Sequence, residues 1–262
     1  MDDDHIKKML AIAGASFVGR AKYSFYNSLQ SLSLGHEISS IDPAMATFRY
    51  LHAEEEAIVC LIENLKTAKY ANSKLLNIKD HTIKARVLMA FKLGHSLVEE
   101  FPLSFAFDLK KDRVCGKFGE ENPLYTDDPL NFLISSTSEG LNSESVEKAF
   151  LDKLVSQISN KTVLKTAQKI ADRRNQLLYS SNNGYPALEC VDRDFIARTE
   201  ANTLALIGIS TAISKAQKPS PLVEWTIYCA LKDAKLFEGE FLRKPVVPLN
   251  EFTPIAATTQ KV

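Results

Sequence analysis

The chain has 262 residues, and its 32 Lys plus Arg are balanced by 32 Asp plus Glu. That length permits one core or two unequal helical lobes, while the zero net charge removes any bulk electrostatic case for nucleic acid, an anionic membrane or an acidic partner. A nucleic-acid surface must therefore be a local patch, and the 4 cysteines (Cys60, Cys115, Cys190 and Cys229), far apart and without a C-x-x-C pair, fit free thiols in a reducing, cytoplasmic setting.

Ile6, Met9, Leu10, Ala13, Phe17, Ala21, Phe25 and Leu29 recur at spacings of three and four, which predicts one long amphipathic helix ending near Gly35. Its Met9 to Gly19 portion follows Lys7-Lys8 as a signal-peptide core would, but Asp2-Asp3-Asp4 precede it and the helical pattern runs on. No apolar run approaches the roughly 20 residues that span a bilayer, so no membrane partner is expected. Asp42-Pro43 sets a capping carboxylate before a proline at the first helical position. Phe48, Leu51, Ile58, Ile62 and Leu65 carry that second helix to about Tyr70.

A third helix is predicted from about Asp80 to Phe101, through Ile83, Val87, Phe91, Leu97 and Val98, with Pro102 at its boundary. Leu103, Phe105, Phe107 and Leu109 then alternate with small or polar residues, and Lys110 to Arg113 read as a turn, so a short β-hairpin is expected. Positions 119–142 are rich in Pro, Asp, Ser and Asn and read as an irregular connection. Helical patterns resume over 146–158, 163–179, about 192–218 and 221–237, with a turn at Asn182-Asn183-Gly184-Tyr185-Pro186. The plan is an all-α antiparallel bundle with a hairpin insertion: an N-terminal part (1–118), the connection (119–142), a C-terminal part (143–237) and an extended tail (238–262) that is a candidate for meeting a protein partner. The two parts can equally be one domain.

Charges on an apolar stripe need a partner or a task. In the second helix the stripe Phe48, Leu51, Glu55, Ile58, Ile62 places Glu55 inward, while Glu54 and Glu56 can point to solvent. In the helix over 163–179 the stripe Val163, Ala167, Ile170, Arg174, Leu177 places Arg174 inward, so Glu55 and Arg174 are an expected ion pair. Such a pair is either a structural lock on helix register or part of a cleft site to which Asn175 and Tyr179 add an amide and a phenol. Lys161, Lys165, Lys169 and Arg173, each four residues after the last, form a basic row that can hold a phosphate backbone or be an ordinary solvated face. His52 with Glu56 and His95 with Glu99 could present ligands as in di-metal bundles, but the usual Glu-x-x-His spacing is absent, and so are a Gly-rich phosphate loop, G-x-S-x-G and H-E-x-x-H. No metal or other cofactor is expected.

The run Arg174-Asn175-Gln176-Leu177-Leu178-Tyr179, together with Ala53-Glu54-Glu55-Glu56-Ala57, resembles the HEPN superfamily, especially its abortive-infection-type members. The resemblance implies an all-α bundle whose active members are metal-independent ribonucleases in antiviral defence or toxin modules, and which commonly work as homodimers. It also implies roles: Arg174 on the scissile phosphate of RNA, Asn175 and Tyr179 positioning it, and Glu55 orienting Arg174. Arg174 and Asn175 match the family's motif, whereas Tyr179 stands where its histidine would be. A phenol with a pKa near 10 is a poor base at neutral pH. An interaction or scaffold protein is the alternative from another class, and a di-metal enzyme the third.

Overall fold

The computed structural model describes residues 3–99, 103–108, 113–118, 124–126, 190–216 and 219–232, together with Lys165 and Lys169, both helical. The described core is helical, and no helix in it is long and apolar enough to cross a membrane. Arg174, Asn175, Tyr179, Lys161 and Arg173 lie outside the described residues, as do the turn at 182–186, the tail, and the remainder of the helices expected over 146–158 and 163–179.

The apolar period that predicts one long first helix is carried by two, α1 (Asp3–Ser16) and α2 (Gly19–Ile38). Between them Val18 is extended and Gly19 takes φ +54°, a backbone conformation that costs a residue with a side chain far more than glycine. The heptad-like pattern continues across the break because Phe17 and Ala21 both still reach the core. Nor does α2 stop at Gly35. That glycine is helical and buried, and a Cβ there would meet the Tyr50 ring at 3.2 Å, so its role is close approach rather than termination.

Asp42 starts α3 (Pro43–Thr67) as a capping residue, its Oδ1 accepting from Met45 N at 2.9 Å with Pro43 in the first turn. α3 runs back along α2, whose facing residues include Ala21, Ser24, Ser28, Ser31 and Gly35, small enough to bring the two backbones close. After a 3-10 turn (Ser73–Leu75), Asp80 caps α4 (His81–Glu99) through Thr82 N at 2.8 Å. β1 (Leu103–Asp108), β2 (Arg113–Phe118) and β3 (Leu124–Thr126) form an antiparallel sheet in that order, with Leu103 opposite Phe118 and Gly116 opposite Thr126. β3 falls inside the stretch whose composition reads as irregular. A strand of 3 residues is too short to show an alternation against its Pro- and Asp-rich flanks.

Asp192 caps α5 (Arg193–Lys215) through Asp194 N at 3.0 Å, and α6 is Pro221–Lys232. One apolar cluster draws on all six of these helices, from Ala13, Phe17 and Phe25 through Leu61, Val87 and Ile207 to Ile227. α5 crosses this interior carrying Thr199, Thr203, Ser210 and Thr211, whose hydroxyls each donate to the carbonyl four residues earlier at 2.7–2.8 Å. Those bonds satisfy polar groups that burial would otherwise penalise.

Candidate functional site

The three glutamates sit in the middle of α3, where the helix is packed by α2 on one side and α5 on another. Two packed sides widen the buried stripe beyond the row used to place Glu55. The deepest of the three is Glu54, 7% exposed, one turn from Tyr50 and one from Ile58 on the face that meets α5. Glu55 and Glu56 are half-buried. The expectation that Glu54 can point to solvent is thus corrected by the packing of α5.

Each carboxylate is built into a different contact. Asn202 of α5 donates its Nδ2 to Glu54 Oε1 at 2.6 Å. Burial pushes the Glu54 carboxyl above its ordinary range; the Asn202 bond and the charges of Lys92 and Arg198 pull it down, and Glu55 pushes it up again. Glu55 turns toward the start of α4, with its Oε1 at 2.8 Å from His81 Nδ1 and its Oε2 at 3.4 Å from Lys84 Nζ. The Lys84 side chain is only 8% exposed, so Glu55 supplies the partner that a nearly buried ammonium requires. Acids from α3 thereby face cations of α4 (Lys84, Lys92) and α5 (Arg198).

One turn earlier, Tyr50 is fully buried, and its hydroxyl lies 3.1 Å from His36 Nδ1, while His36 Nε2 meets the Glu200 carboxylate. Burial, reinforced by Glu200, raises the Tyr50 phenol above its ordinary value. The phenol stays protonated at neutral pH and shares one hydrogen bond with Nδ1, while Nε2 faces Glu200. Cys60, deeper in α3, is pushed up to about 12 by burial, so it is an inert core thiol rather than a nucleophile.

Of the site residues named from sequence, the described structure places Glu55 with His81 and Lys84, and shows Lys165 and Lys169 exposed. Among the described residues no group of three or more His, Cys, Asp or Glu could hold a metal ion. His52 stacks on Phe48 with ring centroids 5.9 Å apart and lies 3.4 Å from Asn27. Glu54, Lys84 and Asn202 escape a reading that follows one stripe per helix. The signals for them were present: Lys84 stands between Ile83 and Val87, and Asn202 stands three after Thr199 and four before Leu206, both on core faces. No protein-family model, no curated protein and no solved structure matches the chain.

Proposed function

We propose that this chain is a cytoplasmic HEPN-like RNA-binding protein of the antiviral-defence or toxin type that cleaves RNA without a metal ion. The observation that supports this reading is the acidic cluster in mid-α3: two carboxylates withdrawn from solvent, facing cations of two other helices. A carboxylate can orient an arginine only where water does not dominate the pair, and the Glu55 side chain, 18% exposed, offers that setting.

In this reading Arg174 binds the scissile phosphate and stabilises the charge that builds when the neighbouring ribose 2′-oxygen attacks phosphorus and the 5′-oxygen leaves. Asn175 and Tyr179 fix the phosphate, and Glu55 holds Arg174. Since a phenol is a weak base at neutral pH, catalysis rests on positioning and charge stabilisation more than on proton removal, and turnover is slow. Lys161, Lys165, Lys169 and Arg173 track the RNA backbone, and two copies pair as a homodimer, which light scattering at tens of micromolar would detect as a doubled mass.

A second reading, a non-catalytic interaction protein, is favoured by one observation: Glu54 and Glu55 already have structural partners in Asn202, His81 and Lys84. Arg174→Ala separates the two. Incubated with labelled total RNA and tRNA in a chelator, wild type should cleave, while Arg174→Ala should be inactive with its thermal unfolding nearly unchanged. The interaction reading instead requires no cleavage by either protein, and because Glu55 keeps His81 and Lys84 as partners no carboxylate is stranded in the variant.

A further inference from the structure

The outer face of α2 has the composition of a surface made to be covered. Tyr23 is 75% exposed and Tyr26 52% exposed, and at a spacing of three the two rings are neighbours on the helix surface. Arg20, Asn27 and Gln30 continue the same exposed stripe, and Lys22 is exposed beside it. Neither Arg20 nor Lys22 has a carboxylate partner among the described residues.

Charge sets the class of partner. From His5 to His36 the chain carries Lys7, Lys8, Arg20 and Lys22 and no Asp or Glu at all, in a protein whose overall charge is zero. The first turn of α2 adds to this, since it has neither a capping side chain nor an acidic residue, so the positive end of its dipole is uncompensated. Tyr26 is also held in place: it packs edge-on against Phe25, with centroids 5.0 Å apart, and a Cβ on Gly14 would come within 3.0 Å of its hydroxyl. A ring seated in that way loses little freedom when a flat ligand stacks on it.

We propose that this face, Arg20, Lys22, Tyr23, Tyr26 and Asn27, is a stacking platform for single-stranded RNA. It rests on the reading of the protein as RNA-binding and adds where the strand lies beyond the Arg174 motif. Tyr23 and Tyr26 stack successive unpaired bases, Arg20 and Lys22 contact the flanking phosphates, and the Asn27 amide meets a base edge or a ribose 2′-hydroxyl. A membrane surface fits less well, because the stripe has amides where acyl chains would need Leu, Phe or Trp. A second copy docking face to face would set Arg20 and Lys22 against their own like charges.

The test is binding of a fluorescent oligouridylate of about 12 nucleotides to wild type, Tyr23→Ala/Tyr26→Ala, Tyr23→Phe/Tyr26→Phe and Arg20→Gln/Lys22→Gln. The alanine pair should weaken binding at least about tenfold while the phenylalanine pair binds as wild type, because stacking needs the ring and not the hydroxyl. The glutamine pair should flatten the dependence of log Kd on log salt by about 0.7 per phosphate contact removed. All four positions are exposed, and circular dichroism should show unchanged helicity. Equal binding by wild type and the alanine pair overturns the platform and leaves the RNA reading standing. Loss of binding in the alanine pair without any cleavage by wild type upholds the platform and removes the ribonuclease. Wild type that ignores the oligonucleotide removes both. Tyrosine-dependent binding to phosphatidylserine vesicles or tyrosine-dependent self-association, in place of RNA binding, assigns the face to those partners and overturns the proposal.

Discussion

α3 is tied to α5 by two polar contacts a single helical turn apart, and they lie in opposite surroundings. Glu54 meets Asn202 inside the packed seam, where the carboxyl is nearly sealed from water. Tyr50 reaches Glu200 through His36, whose side chain is 54% exposed at the rim. The inner contact is short and cannot exchange its partner for solvent; the outer one can trade its His36–Glu200 bond for water at little cost. Burial, not the kind of group, should therefore rank their contributions.

The largest difference is expected when the inner donor is removed. Asn202→Ala leaves Glu54 desolvated with no amide to donate to it, and should lower unfolding free energy in urea by about 1 to 3 kcal/mol. An effect no greater than that of a rim substitution would show that water enters the seam, and would dissolve the contrast.

The inner contact also titrates, which gives a second, smaller test. Burial raises Glu54 above its ordinary 4.5, so below that pH both the folded and unfolded forms hold the proton. As pH rises, the unfolded chain releases it first. The unfolded state then binds fewer protons than the native state, and stability from this group falls until the folded carboxyl ionises in turn. Glu54→Gln keeps an acceptor for Asn202 and cannot titrate. Its stability should match wild type most closely near pH 4 and exceed it increasingly toward neutral pH, as read from melting temperatures across that range. A constant offset between the two proteins would mean that Glu54 ionises in the folded state as readily as in the unfolded one.

The same contrast explains what can be read from the sequence. Asp42-Pro43, Asp80 and Asp192 mark helix starts because capping is local chemistry, settled within three residues. The interruption at Val18-Gly19 is hidden, since Phe17 and Ala21 keep the apolar period on both sides of it. Periodicity points to Glu55 because it assumes one buried face, whereas α3 is packed on two and Glu54 occupies the second. Asn202 is marked only by its spacing from Thr199 and Leu206 on a core face, and its role as the donor to Glu54 becomes legible only once α5 is known to cross α3 there. Arg174, on which the Glu55 pair depends, lies outside the described residues.

The smallest effect is expected at the rim. Glu200→Gln keeps the shape of the side chain and an oxygen able to accept from His36 Nε2, but removes the charge. With the His36 side chain 54% exposed and that of Glu200 33% exposed, solvent screens the pair, and the loss should stay below about 1 kcal/mol. What remains should shrink further in salt, because exposed charges are screened within about 8 Å at physiological ionic strength. The loss at Asn202 should respond to salt far less, since the contact lies in a seam nearly sealed from water, where ions screen little. Measuring both variants at low and at high salt therefore tests the contrast apart from its absolute size: an Asn202 effect as salt-sensitive as the Glu200 one would mean that water and ions reach the seam, and that burial does not separate the two contacts.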